Sequence, residues 1–213
     1  MTLESAAYRI DDPDQLITPC LLFYPDRIRR NIESMIRIAG GLERLRPHVK
    51  THKTAEVVKL QQDQGIDKFK CATLREAEML GDCQASDVLI AYPQIGPAVQ
   101  RLIKLIKAFP KTRFSTVVDD ATAAEKLDQA CQEGGVKVDV LVDIDNGMHR
   151  TGIPAGETAL NLYRYLAEAE SLEASGLHVY DGQNHQPSRH ERESAVEALM
   201  EPVKQLVGQL RET

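Results

Sequence analysis

The chain has 213 residues, a formal net charge of −6 and 42% hydrophobic residues, which suits one large domain or a domain with an appendage. The acidic balance argues against a nucleic-acid or anionic-membrane partner, and no run of about 18 apolar residues is present to build a spanning helix. No basic stretch followed by an apolar one opens the chain, so no secretory leader is expected; Cys20, Cys71, Cys83 and Cys131 form no CxxC pair and read as reduced thiols of a cytoplasmic protein rather than as a zinc site.

In chain order, Thr18–Tyr24 reads as a strand and Pro25–Ala39 as a helix. Ile28, Ile32, Met35, Ile36 and Ala39 share one side of it, Pro25 fits its first turn and Gly40-Gly41 ends it. From residue 45 onward β-rich and helical runs alternate. The expected strands are Leu45–Lys50, Lys68–Thr73, Asp87–Tyr92, Arg113–Val118, Val138–Ile144 and Leu177–Tyr180, spaced as in βα units. Val-rich runs such as 138–144 suit parallel strands buried on both faces. Thr73-Leu74-Arg75-Glu76 and Thr122-Ala123-Ala124-Glu125 read as capping boxes. Val99, Leu102, Ile103 and Ile106 form one helical core face, and Val196, Leu199, Met200, Val203, Val207 and Leu210 another.

The most informative stretch is Arg46-Pro47-His48-Val49-Lys50-Thr51-His52-Lys53. On a strand, Arg46, His48 and Lys50 share one face. Stacked basic groups are costly to bury without anionic or hydrogen-bonding partners, so that face is either wet or meets an anion. A lysine in a basic, partly desolvated pocket can lose its proton near neutrality and attack a carbonyl as a free amine. Sites in parallel α/β folds gather at the C-terminal ends of strands. Standing there are Lys50, Thr51 and His52; the loop from Asp145 to Gly152, which contains His149 and Arg150; and Tyr180-Asp181-Gly182-Gln183-Asn184-His185. Together they describe an anionic, carbonyl-bearing ligand held beside an amine. His52 is a candidate acid–base group, because an imidazole titrates near neutrality. His48, His178 and His185 could bind a metal only if they converge. Asp143 is expected either to orient Arg150 or to leave one of Asp143 and Asp145 neutralising Arg46.

At these residues the sequence resembles the fold-type III pyridoxal-phosphate enzymes, the alanine racemase-like barrels, and within them the D-threonine aldolase and D-serine dehydratase branch. The resemblance rests on Thr18-Pro19, on the Pro47–Lys53 string, on Asp145–Gly152 and on His178-Val179-Tyr180-Asp181-Gly182. It implies an α/β fold, a (β/α)8 TIM-like barrel seen through about its first six strands without its C-terminal β domain. Residues 1–44 would be a strand and helix packing on the barrel, and 45–213 the partial cofactor-binding barrel. An open doubly wound sheet is the alternative architecture.

The resemblance also implies that Lys50, rather than Lys53, is the Schiff-base lysine. Arg150 would face the phenolic oxygen of the cofactor, pyridoxal 5'-phosphate. Tyr180 would face its pyridine nitrogen, and as a phenol it would not hold that nitrogen protonated as a carboxylate would. His48 would also belong to the cofactor site. The implied activity is a lyase acting on β-hydroxy D-amino acids, by aldolase-like cleavage or dehydratase-like elimination. A racemase, and a non-catalytic cofactor-binding protein of homeostasis, are the alternatives. The parent enzyme would be a cytoplasmic homodimer with a small-molecule substrate. A divalent metal is expected in the full-length enzyme, with no ligand pair for it in this chain, and the glycine-rich phosphate cup that follows a seventh strand is also missing from it.

Overall fold

In the computed structural model, which describes residues 8, 10 and 12–212, the chain divides into two units. One comprises Met1–Leu45 with Thr54–Ile66, the other Arg46–Lys53 with Asp67–Thr213. In the first unit, helix α1 (Pro25–Ala39) runs as the pattern predicts, with Pro25 in its first turn and Gly40 closing it at φ 77°. A second helix, α2 (Ala55–Gln62), packs against α1 and buries Val57 and Val58. Residues 18–24 form no strand: they run as irregular chain with Leu21 and Phe23 exposed. A lone β-rich segment needs a partner for its backbone groups, and none among the described residues supplies one.

The second unit is α/β. Strands β1 (Lys68–Cys71), β2 (Asp87–Ile90), β3 (Arg113–Val118), β4 (Val138–Ile144) and β5 (Leu172–Val179) are all parallel and stand in sequential order. Helices α3 (Leu74–Asp82), α4 (Pro97–Ala108), α5 (Ala121–Gly134) and α6 (Glu157–Glu168) make the crossovers, and α7 (Arg189–Arg211) follows β5. A doubly wound sheet reverses its strand order at a switch point; this one never does, so it is singly wound, as in a barrel. A flat five-stranded sheet would hold β1 and β5 about 19 Å apart, four gaps of about 4.8 Å. Instead Lys70 of β1 reaches His178 of β5 at 2.6 Å, so the sheet curls strongly and both side chains lie on its concave face.

The core lies between the outer face of the sheet and the helices. In β4, Val138, Val140, Val142 and Ile144 are all at most 3% exposed, whereas Asp139 and Asp143 on the alternate face carry polar partners. Of the expected α4 stripe, Val99, Leu102 and Ile103 are core, but Leu105 takes the buried place expected of Ile106, which is half-buried. Along α7 only Val203 and Leu206 are fully buried. Thr73 caps α3, accepting from the Glu76 amide at 3.2 Å. The second box is displaced: Asp120, not Thr122, caps α5, accepting from Ala123 N–H at 2.8 Å. An aspartate two residues upstream outcompetes the threonine for the orphan amides.

Two expected strands are corrected here. Leu45–Lys50 is not a strand. His48 makes one isolated parallel bridge with Lys70, and Val49–Thr51 turns into a 3-10 helix. Pro47 has no N–H to give a ladder, and the Nδ1 of His48 accepts from Lys50 N–H at 3.2 Å, which draws the chain into the turn. β5 begins at Leu172, five residues before the expected start at Leu177. It passes through a bulge at which Gly176 adopts φ 122°; a glycine inside a strand reads as a breaker in sequence but serves as a bulge here. No helix of the described residues is long and apolar enough to cross a membrane.

Candidate active site

The inner face of the sheet carries two polar layers. At the N-terminal ends of the strands, Arg46 forks onto Asp87 at 2.5 and 2.9 Å. Arg113 pairs with Asp139, which also accepts from Ser175. Burial works against the Asp139 carboxylate, but the Arg113 and Ser175 hydrogen bonds outweigh it and hold its pKa below the usual range. Arg46 therefore belongs to a structural layer, and its partner is Asp87 rather than Asp143 or Asp145.

At the C-terminal ends lies a cavity of about 330 Å³, walled by His48, Lys50, Lys70, Tyr92, Arg150, Thr151, His178 and Tyr180. Two lysines, an arginine and two imidazoles thus meet there in an acidic protein. Arg150 lies over the Tyr180 ring, its Cζ 5.1 Å from the centroid, and Lys70 Nζ is 5.9 Å from the same ring. Burial lowers the basicity of His48 to a pKa of about 4, helped by the charges of Lys50 and Lys70 and opposed by Glu76.

The Arg150 loop is folded by its own residues. Asp145 accepts from the N–H groups of Gly147 at 3.1 Å and His149 at 2.9 Å, and from the His149 ring. Ile153 returns to pair with Asp143, and Gly152, at φ 95°, donates to Asp119. A Cβ on Gly152 would stand 2.6 Å from the Asp145 nitrogen. Only glycine fits there, and that tight return is what sets Arg150 on the cavity rim.

Of the residues expected from sequence, Lys50, His48, Arg150 and Tyr180 come together on one cavity. Lys50 stands at an exposed rim of it rather than at its bottom. Lys53 points elsewhere, paired with the buried Glu76, which also accepts from Ala72 N–H at 2.8 Å. His52 follows the 3-10 turn, is half-buried, and is not among the cavity-lining residues. His185 lines a separate groove. Among the described residues no cluster of three or more His, Cys, Asp or Glu is placed to hold a metal. Asp143 does not pair with Arg150. Its Oδ1 accepts from the Nδ1 of His178 at 2.6 Å, and the Nε2 of the same ring meets Lys70 at 2.6 Å. Sequence reasoning missed Lys70. The signal was available: in Lys68-Phe69-Lys70-Cys71, Phe69 and Cys71 are buried, so a strand's alternation turns Lys70 inward to the site face.

Sequential parallel order, with an amine, a guanidinium, imidazoles and a phenol at the C-terminal ends, defines a barrel-type α/β domain whose site suits an anionic carbonyl compound. The chain belongs to the alanine racemase N-terminal domain family, matched over residues 24–213, and so to the fold-type III pyridoxal-phosphate proteins. It is 32% identical over 206 residues to a 3-hydroxy-D-aspartate aldolase of Paracoccus denitrificans (strain Pd 1222), covering 93% of this chain and 52% of that protein. It is 30% identical to a D-threonine aldolase of an Arthrobacter species, covering 70% of this chain and 39% of the other. The crystal structure of D-threonine aldolase from Filomicrobium marinum superposes with a TM-score of 0.85 at 31% identity, covering 92% of this chain and 53% of that one. The chain spans about half the length of the curated relatives it matches.

The donor set fits the family's cofactor. It offers amines for an aldehyde, a guanidinium for a phenolic oxygen and a phenol for a ring nitrogen. Among the described residues no glycine lines the cavity.

Proposed function

We propose that this chain carries the cofactor-binding part of a pyridoxal-phosphate lyase acting on β-hydroxy D-amino acids, in the manner of the D-threonine and 3-hydroxy-D-aspartate aldolases it resembles. The observation that supports this most is the convergence of Lys50, His48, Arg150 and Tyr180 on a single cavity at the strand C-termini. Lys50 would hold the cofactor through Nζ. Arg150, stacked over the Tyr180 ring, would face the cofactor's phenolic oxygen, and Tyr180 would face its ring nitrogen. His48, largely unprotonated at neutral pH, leaves the wall without an added charge. When bound, the cofactor supplies an electron sink for negative charge developing at the substrate Cα. His52, which does not line this cavity, is given no acid–base role in this reading. The parent enzyme is proposed to work as a cytoplasmic homodimer, with a divalent metal held outside this chain.

The test is mass spectrometry after incubation with pyridoxal 5'-phosphate and reduction with borohydride. One cofactor per chain, mapped to Lys50 and absent from Lys50→Ala, is the expected result. Equal labelling of Lys50→Ala would remove the assignment.

A further inference from the structure

The geometry points to Lys70 as a second functional amine of this site: the residue that hands protons to and from the carbonyl oxygen when Lys50 captures an aldehyde, with His178 and Asp143 as the positioning residues that aim it. The inference rests on the reading of Lys50 above and goes beyond it.

Three observations carry it. Lys70 Nζ, His178 and Asp143 form one line across the curled sheet, with both contacts at 2.6 Å. Asp143 is 4% exposed and sits directly opposite His178 in the β4–β5 register. Its carboxylate accepts the Nδ1 proton and fixes the tautomer, which leaves Nε2 as an acceptor for Lys70. That is the order carboxylate, imidazole, proton carrier, with an amine at its head. Second, Lys70 and Lys50 line the same cavity, so the head group faces the space an aldehyde on Lys50 would occupy. Third, Lys70 has a surplus of cations around it. Burial lowers its pKa first; Lys50, Arg150 and Arg46 lower it further, and Asp143 opposes them. Of the remaining groups facing it, His178 and His48 are imidazoles and Tyr180 a phenol. A lysine so placed releases its proton more readily than a solvated one.

The step balances. The Lys50 lone pair attacks the aldehyde carbon, the C–N bond forms and the carbonyl π pair moves to oxygen. The Lys70 ammonium protonates that oxygen and takes back a proton from the new nitrogen. A second delivery lets the hydroxyl leave as water while the nitrogen lone pair forms the C=N bond, and the last nitrogen proton returns to Lys70. Water is the only product released, and Lys70 ends as it began.

The experiment follows pyridoxal 5'-phosphate capture by stopped-flow absorbance, with a borohydride quench and mass mapping, across pH. In the unsubstituted chain the rate carries an alkaline limb, where the advantage supplied by the Lys70 ammonium is lost as that group, its pKa lowered by burial and by neighbouring cations, gives up its proton. Lys70→Met is expected to keep the Lys50 endpoint but slow capture by about 10²-fold and lose the alkaline limb. Lys70→Arg keeps the charge without a transferable proton and is expected to be as slow; it decides the matter if the methionine variant does not fold. His178→Leu removes the acceptor that favours the ammonium form and moves the alkaline limb to lower pH, while His178→Gln restores it. Capture on Lys50 at an unchanged rate in both Lys70 variants would overturn this inference and leave the Lys50 assignment standing. Failure to label Lys50 at all would overturn the assignment on which it rests.

Discussion

His48 carries opposing demands. Its Nδ1 caps the turn that presents Lys50, while Lys50, Lys70 and burial all resist its protonation. Its folded-state pKa of about 4 lies below the 6.5 of an unperturbed imidazole, so the unfolded chain takes up the proton first. Stability contributed by His48 is therefore complete above pH 6.5 and is lost as the pH falls toward 4. Urea midpoints at pH 7 and pH 5 should fall further in the parent than in His48→Gln; equal pH slopes would contradict the assignment. Glu76 poses a related case. It is 4% exposed and satisfies both the Ala72 amide and Lys53. Burial alone would raise its pKa, but these partners hold it low. Glu76→Ala should cost about 2 kcal/mol in chemical denaturation, because a half-buried amide and an amine lose their acceptor together.

Among the elements, the Asp145–Gly152 loop shows how sequence becomes geometry. Asp145 gathers the amides, Gly152 permits the tight return, and Arg150 is left over Tyr180. Gly152→Ala places a methyl against the Asp145 backbone at φ 95°. It should destabilise the fold by about 2 kcal/mol and weaken cofactor binding more than any surface change; binding at parent affinity, followed by absorbance titration, would contradict this. The loop was legible because its polar and glycine residues have few other uses. The turn at Val49 was not. Alternation suggested a strand, and the competing pull of a proline without an N–H and a histidine cap is invisible to a periodicity argument. The start of β5 is hidden for the opposite reason, since Gly176 breaks the pattern without breaking the strand. Lys70 carries no motif of its own, and only the alternation of its strand, with Phe69 and Cys71 buried, turns it toward the site.

On the scale of the whole molecule, the curl of the sheet does the decisive work. It brings residues from opposite edges, Lys70 and His178, into one cavity while the apolar outer face meets the helices. Helix positions and most strand positions followed from hydrophobic periods, which are local, whereas the sequential strand order was implied only by the family resemblance. The pairing of Asp143 with His178 depends on a bulge and on sheet curvature, which are not. At the other end of the sheet Asp87 serves Arg46 and lies 3.9 Å from Arg113. Asp87→Ala should therefore cost about 2 kcal/mol by leaving a partly buried guanidinium unpaired, and thermal unfolding that matched the parent would contradict this. Ile17, 90% exposed, and Leu21, 74% exposed, present apolar surface in the first unit. Sedimentation should show self-association that Ile17→Ser with Leu21→Ser reduces. The central claim concerns the cavity and the amine on its rim. A crystal structure of the chain with pyridoxal 5'-phosphate should show density continuous with Lys50 Nζ, Arg150 beside the phenolic oxygen and Tyr180 beside the ring nitrogen. Density continuous with Lys53 instead, or cofactor bound away from the cavity, would contradict it.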